Sequence, residues 1–350
     1  MTWRLTLRSP GVAAALGAAL LFGGGTPFAK GLLSDVSPWL LAGLLYLGSG
    51  LGLSLYRVVR RAPSVRLAAG EWPWFAGAIF SGGVIGPVLL MFGLSGMSAS
   101  GASLLLNAEA VFTALLAWFA FRENFDRRIA LGMVAIVAGA VVLSWPGDAK
   151  IASLWSALAV LGACLAWGVD NNLTRKVSLT DATWIASVKG WAAGSVNLVL
   201  AVLLGASWPP LIHVAGTLLV GCFAYGVSLA LFVTALRHLG TARTGAYFSV
   251  APFFGALLAI PLLGEAVNMQ LLIAGALMAL GVWLHLTERH AHPHEHESLA
   301  HAHRHVHDEH HQHQHDFPWN GDEPHTHDHQ HAPLRHSHPH YPDSHHRHRH

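Results

Sequence analysis

Asn107–Glu123 reads NAEAVFTALLAWFAFRE, and 142 residues further on Ser249–Glu265 reads SVAPFFGALLAIPLLGE. Ala-Leu-Leu-Ala at 114–117 meets the same four residues at 256–259, Glu123 meets Glu265, and Gly139 meets Gly281. Towards the N-terminus the register shifts by a few residues, so that Gly23 and Trp39 match Gly168 and Trp184, and Lys30 matches Arg175. The chain therefore carries one unit twice. Each copy is apolar nearly throughout, which decides the solvent before it decides the fold.

The 350 residues are 53% hydrophobic and only 11% charged, whereas a soluble domain carries about 25% charged residues. Nearly all of the apolar content lies in 11–287. That stretch has no charged surface to show to water, so lipid must be its solvent. A spanning helix needs about 20 apolar residues, and ten spans fit, near 11–30, 37–57, 72–94, 98–121, 128–145, 152–172, 182–204, 211–236, 242–263 and 267–286. Breakers fill the connections: Asp35-Val36-Ser37-Pro38, Arg61-Ala62-Pro63, Pro146-Gly147-Asp148 and Ser207-Trp208-Pro209-Pro210. Arg4 and Arg8 before an apolar run imitate a secretory signal, but many equivalent spans follow and no convincing small-residue cleavage site is present, so this run is expected to stay as the first membrane helix.

Basic residues orient the spans. With a cytoplasmic N-terminus, the inside segments hold fourteen Lys and Arg, among them Arg57, Arg60, Arg61, Arg122, Arg127, Arg128, Arg175, Lys176, Arg237 and Arg243, against Lys30 and Lys150 outside. The positive-inside rule favours that arrangement. Each copy holds five helices. Five is odd, so the second copy enters the membrane upside down, and inverted repeats are typical of secondary transporters with a midplane site. The expected fold is all-α: ten transmembrane helices as two inverted five-helix repeats, 10–146 and 151–287, with a disordered tail over 288–350. The expected location is a cell (inner) membrane, multi-pass, with both termini cytoplasmic.

The repeated unit, ALLAWFAFRE or ALLAIPLLGE with Gly139 or Gly281 in the following helix, resembles the EamA-type transporters of the drug/metabolite transporter superfamily over about 10–287. The resemblance implies a 5+5 inverted fold, alternating access through a central cavity lined mainly by the first four helices of each half, and export of amino acids, metabolites or drugs. One departure stands out. Pro252 replaces Ala110, and Ala251 stands where Glu109 is, so that acid lies outside the shared pattern.

A charge at bilayer depth costs roughly 2.5–3.5 kcal/mol even on the gentler scales, so each one asks for a reason. Glu109 sits midway along the fourth span beside Asn107. Lys189 sits about two turns into the seventh, with Asn197 eight residues later. Facing a cavity, Glu109 and Lys189 would bind a charged or zwitterionic solute or relay a proton. The competing reading is that the two pair with each other and hold helices together. Asp170, Asn171 and Asn172 close the sixth span; they are further candidates for the solute and proton pathway, and helix capping is the reading that explains them without a ligand. Tyr247 completes the candidate solute and proton pathway. Glu265 reads as a helix-end residue that stabilises the fold.

Gly23-Gly24-Gly25-Thr26-Pro27 interrupts the first span and is the best hinge candidate, through Gly23, Gly24, Gly25 and Pro27. Gly82-Gly83 with Gly86-Pro87 interrupts the third. Close helix packing is the alternative for such small residues. Cys164 and Cys222 lie in apolar runs and offer no metal or disulfide motif.

Residues 290–350 contain 23 of the 26 histidines, many alternating with another residue, and nine carboxylates. With too little apolar content for a core, the segment is expected to be disordered. Neutral imidazole binds Ni, Zn, Co and Cu, so His290, His292, His294, His296, His301, His303, His305, His307, His310, His311, His313 and His315 are candidate metal ligands. No cofactor is required by the membrane part.

Three functions compete. A secondary, proton-coupled exporter of a small metabolite or drug comes first. A metal-linked efflux or metal-sensing protein that uses its tail for nickel, cobalt or zinc comes second, since the spans show no His/Asp ligand pair at helical spacing. A membrane scaffold comes third, because it would need no two-sided cavity. An enzyme is not expected: nucleotide loops and nucleophile motifs are absent, and without a P-loop this chain cannot drive transport directly with ATP. The expected partners are the lipid bilayer and a small-molecule or ion substrate, with no nucleic acid; a homodimer is compatible with the sequence.

Overall fold

The computed structural model describes residues 10–121, 127–144, 151–178 and 180–286, and four tail segments, 291–296, 300–305, 325–330 and 334–339. The chain divides into two compact units, one holding 1–288 with 343–350 and the other 289–342.

The first unit is helical among its described residues. Helix α1 (Pro10–Leu32) and α2 (Pro38–Val59) are followed by a 3₁₀ turn, α3 (Trp72–Ala78), a π turn at Ile79–Ile85 and α4 (Gly86–Ser95). Then come α5 (Ala99–Leu105), α6 (Ala108–Phe121), α7 (Arg127–Ser144), α8 (Ile151–Arg175) and α9 (Ala182–Leu203). The set closes with α10 (Leu211–Val220), a second π turn at Gly221–Val227, α11 (Ser228–Phe248), α12 (Ala251–Leu263) and α13 (Met269–Leu286). Seven helical stretches are long and apolar enough to cross a membrane: Pro10–Leu32, Pro38–Val59, Ala69–Ser95, Ala99–Ala120, Leu154–Arg175, Ala182–Leu203 and Leu211–Leu239. Ala130–Val142, Ala251–Leu263 and Met269–Leu284 are shorter apolar helices.

The interior is apolar, and so are the outer faces of several helices. Leu131, Val134, Val137 and Val141 share one face of α7 and are exposed, as are Val196, Val199 and Val202 on α9. Such faces suit lipid. Within the apolar interior lie buried polar groups, Lys189 and Asn197 among them. Those groups must find partners inside the bundle, because lipid offers none.

Glycine sets how closely the helices approach. A Cβ on Gly139 would lie 2.9 Å from the Ala274 carbonyl oxygen and 2.7 Å from Met278 Cγ, and one on Gly281 would lie 2.6 Å from the Gly132 carbonyl oxygen and 2.6 Å from Ile136 Cγ1. As numbering rises along α7 it falls along α13, so the two run antiparallel. Residues 132, 136 and 139 are also 142 positions before 274, 278 and 281, so the contact is self-complementary, each helix meeting the counterpart of itself. Helices α2 and α9 pack the same way, Gly43 against Asn197 and Leu198, Gly50 against Gly190, and Gly194 against Leu47. The second π turn begins 142 residues after the first. In the first, Gly86 N–H donates to the Ser81 carbonyl, and in the second Ser228 N–H donates to the Phe223 carbonyl, each five residues back.

Two sequence expectations change. Helix α1 runs through Gly23-Gly24-Gly25-Thr26-Pro27 without interruption. A Cβ on Gly23 would sit 2.1 Å from the Ala251 carbonyl oxygen and one on Gly25 2.5 Å from Ala224 Cβ, so these glycines serve close packing. The third span does break where expected, as the π turn. The eighth and ninth spans do not separate near 237–241. Helix α11 continues to Phe248, because that stretch holds no proline, and the chain turns at Ser249-Val250 before Pro252 starts α12.

Two interactions outside the spans fix helix ends. The Glu265 carboxylate accepts from Ala99 N–H at 2.6 Å and Ser100 N–H at 2.9 Å, capping α5 from the distant loop that follows α12. This fits the helix-end role read from the sequence. Asp181 caps α9 through Trp184 N–H at 2.8 Å and pairs with Arg57 at 2.6 Å. Burial works against its ionisation, but the Thr183 hydroxyl, Trp184 N–H and Arg57 outweigh that and hold the carboxyl below its ordinary range.

In the second unit, β1 (Ala291–His296) pairs antiparallel with β4 (Leu334–Pro339), and β2 (Ala300–His305) with β3 (His325–Gln330). These four segments are strands within the stretch expected from the sequence to be disordered. Histidine alternating with another residue has the period of two that a strand pleat uses. His301, His303 and His305 stand opposite His329, His327 and His325 in register.

Candidate functional site

The third span positions the site through a defect in its helix. Pro87 has no N–H, so it cannot donate to the Gly83 carbonyl in an α pattern or to the Gly82 carbonyl in a π pattern. Side chains supply the missing donors. Tyr46 Oη donates to the Gly82 carbonyl at 2.8 Å and Trp167 Nε1 at 2.9 Å. Asn197 Nδ2 donates to the Gly83 carbonyl at 3.0 Å. One turn thus ties α2, α8 and α9 together.

The same glycines make room for charge. A Cβ on Gly82 would lie 1.9 Å from Asp170 Oδ2. In that space Lys189 Nζ meets Asp170 Oδ1 at 2.6 Å and Oδ2 at 2.8 Å, and donates to Thr174 Oγ1 at 3.2 Å. The lysine side chain is 1% exposed and the aspartate 9%. Lys189 is therefore bound to Asp170 and not to Glu109, which corrects the pairing read from the sequence.

Glu109 has a different environment. It lies near the start of α6, just after the turn at Leu106-Asn107, and is half-buried. Its Oε1 accepts from Asn171 Nδ2 at 2.8 Å, and Asn171 also reaches Thr113 Oγ1 at 3.2 Å. Asn172 Nδ2 donates to the Thr113 and Gly168 carbonyls at 3.2 and 2.8 Å. Helix α8 runs on to Arg175, so Asp170, Asn171 and Asn172 sit inside it and point at α6 and α9. The capping role read from the sequence is corrected accordingly.

Glu109, Asp170 and Asn171 line one side of a cavity of about 60 Å³. At roughly 10–15 Å³ per water that is room for a handful of waters. The remaining wall is largely aromatic: Phe22, Trp167, Tyr225, Phe232 and Phe248. These rings touch in sequence. Phe22 lies 5.6 Å from Trp167, 5.8 Å from Tyr225 and 5.5 Å from Phe248, and Phe248 lies 4.9 Å from Phe232.

The other expected pathway residues lie apart from the cavity lining. Asn197 is committed to the π turn. Asn107 donates to the Leu104 carbonyl at 3.1 Å and lies 3.8 Å from Met278 Sδ. Tyr247 packs by Ala14, Ala15 and Ala235, and its neighbour Phe248 faces the cavity. Tyr46, Thr174, Trp167, Tyr225 and the phenylalanines were not singled out from sequence. One signal for the ion pair was available: Asp170 and Lys189 lie at similar distances on either side of the connection between α8 and α9.

Of the candidate tail ligands, the backbones of His292, His294, His296, His301, His303 and His305 belong to β1 and β2. His290, His307, His310, His311, His313 and His315 lie outside the described residues. Among the described residues whose side chains are placed, no group of three or more His, Cys, Asp or Glu could hold a metal ion.

The EamA-like transporter family matches this chain twice, over 9–145 and 154–287. An uncharacterized transporter of Methanothermobacter thermautotrophicus is 29% identical over 285 residues, 76% of this chain and 83% of that protein. A probable terminal-alkyne amino-acid exporter of Streptantibioticus cattleyicolor is 28% identical over 247 residues, 67% of this chain and 82% of that protein. A protein of known crystal structure, 19% identical, superposes with a TM-score of 0.63 over 79% of this chain and 96% of its own.

Proposed function

Since the chain belongs to the EamA-like transporter family, we propose that it is a proton-coupled secondary exporter of a small solute, working by alternating access between two five-helix halves inserted in opposite orientations. The observation that carries this reading is the Glu109 carboxylate, which faces a cavity inside the membrane part, while the nearby Asp170 and Lys189 neutralise each other as a pair. A carboxylate that can exchange a proton for a solute is the least that such coupling requires. The self-complementary contact of α7 with α13 supports the inverted halves, because an antiparallel contact between repeats fits a two-fold axis in the membrane plane. The Streptantibioticus relative, a probable amino-acid exporter, favours export and an amine-bearing solute.

Proteoliposomes carrying the full chain test the coupling. An inward proton gradient should drive efflux of an accepted amino acid or amine. Glu109→Gln should lower the gradient-driven rate at least about tenfold, the loss of one charge-assisted contact, and Glu109→Asp should keep part of it. Gradient-driven rates in Glu109→Gln equal to wild type would overturn the proposal.

A second role, for the tail, is favoured by the facing histidines of β2 and β3. The tail would bind nickel, zinc, cobalt or copper on imidazole, as a store or sensor of metal.

A further inference from the structure

The cavity wall also restricts what the solute can be. This step rests on the cavity being the solute site, as proposed above. Three features of the lining act together: its charge, its hydrogen-bond donors and its rings.

The charge available in the described lining is that of a carboxylate. Asp170 is neutralised by Lys189 at 2.6 Å, which leaves Glu109 as the one carboxylate there without a basic partner. Anion recognition needs several N–H or O–H groups aimed at the ligand, and here three of those in the lining are committed elsewhere, which leaves the Tyr225 hydroxyl. Asn171 Nδ2 donates to Glu109 and Thr113, Trp167 Nε1 to the Gly82 carbonyl, and Ser228 Oγ to the Ala18 carbonyl at 2.8 Å. With its N–H held by that carbonyl, the Trp167 indole has its ring left to offer a solute. Phe22 stands edge-on to Trp167 at an interplanar angle of 84° and to Tyr225 at 64°. Several ring planes therefore meet in one small space beside one carboxylate. Aromatic faces attract ammonium groups through their quadrupole, most strongly where water is excluded.

We propose that this site takes compact organic cations, with the ammonium group of a primary to quaternary amine held between the Glu109 carboxylate and the faces of Trp167 and Tyr225. Anionic solutes are rejected by Glu109, and neutral ones of the same shape gain nothing from the rings beyond their apolar contact.

Binding to the purified full chain in lipid nanodiscs tests this with choline and its neutral carbon isostere, 3,3-dimethylbutan-1-ol, measured by calorimetry. Choline should bind at least about tenfold more tightly than the isostere. Glu109→Gln should remove most of that preference, while Glu109→Asp keeps it. Tyr225→Leu should weaken choline binding roughly two- to thirty-fold, the range of a cation–π contact from exposed to desolvated, and leave the isostere nearly unchanged. Size-exclusion profiles matching wild type exclude misfolding as the cause. Equal affinity for the two probes, or full choline affinity in Glu109→Gln, overturns the cation site. The transport reading fails separately: if choline binds as expected but neither choline nor any amino acid crosses proteoliposomes carrying the full chain, the cation site stands and the exporter does not. If amino acids cross while choline neither binds nor crosses, the exporter stands and the cation site falls.

Discussion

Asp170 and Lys189 form a pair that cannot be broken from one side. The lysine is 1% exposed, and an isolated charge left in such a place costs far more than the pair itself contributes. Lys189→Met and Asp170→Asn should each destabilise the protein by about 3–5 kcal/mol. The double variant should recover a large part of that loss, since no charge is then left unmatched. Thermal unfolding in detergent of the two single variants and the double measures the coupling, and additive losses would refute it. Both residues were visible in the sequence, because any charge inside an apolar run stands out. Their pairing was not. It depends on a carboxylate fitting where Gly82 has no side chain, and a sequence pattern does not report which glycine faces which acid. Glu109 was legible for the same reason as Lys189. Its aromatic surroundings were not, because Phe22, Trp167 and Tyr225 come from three separate stretches of chain and look like ordinary lipid-facing rings when read singly.

At the scale of helices, glycine contacts carry the specificity that hydrophobic burial cannot supply in lipid. Gly139→Ala and Gly281→Ala should each cost about 1–3 kcal/mol through overpacking. Their costs should be similar, because the two positions are counterparts in one self-complementary contact. Gly216→Ala is the control: a Cβ there meets nothing within 4 Å, so the variant should be neutral or slightly stabilising. Unfolding midpoints of the three variants decide it, and a large loss in Gly139→Ala with none in Gly281→Ala would argue against the counterpart relation. Most helix boundaries were readable, because Pro38, Pro63, Pro146 and Pro209-Pro210 punctuate the chain. The eighth and ninth spans misled because Arg237-His238 and Arg243 look like a cytoplasmic loop, whereas a helix can carry such residues near a membrane face without breaking. The glycine run of α1 misled for the converse reason: glycine permits a break but does not impose one when Ala251 and Ala224 pack against the space.

At the scale of the whole chain, transport and metal binding should separate. A protein ending at Leu286 should keep gradient-driven efflux in proteoliposomes and lose most of its equilibrium nickel and zinc binding relative to the full chain. Loss of transport, or unchanged metal binding, would contradict that division. The twofold organisation was legible from ALLA and the paired glycines. The solute class was not, since it depends on which side chains converge, and that in turn depends on helix phase. Helix phase is where the π turns act. An α-helix turns about 100° per residue, and each π turn holds one residue more than the α-helical path needs. That single surplus residue sets the angular position of everything after it. Ser228, Leu229 and Phe232 line the cavity because the count between Gly221 and Val227 brings them round to it. Deleting Gly221, Cys222, Phe223, Gly226 or Val227 would leave every lining side chain in the chain, yet swing these three by about 100°. Choline binding would then fail in a protein whose cavity residues are all unchanged, because the selectivity of the site is stored partly in arithmetic as well as in its side chains.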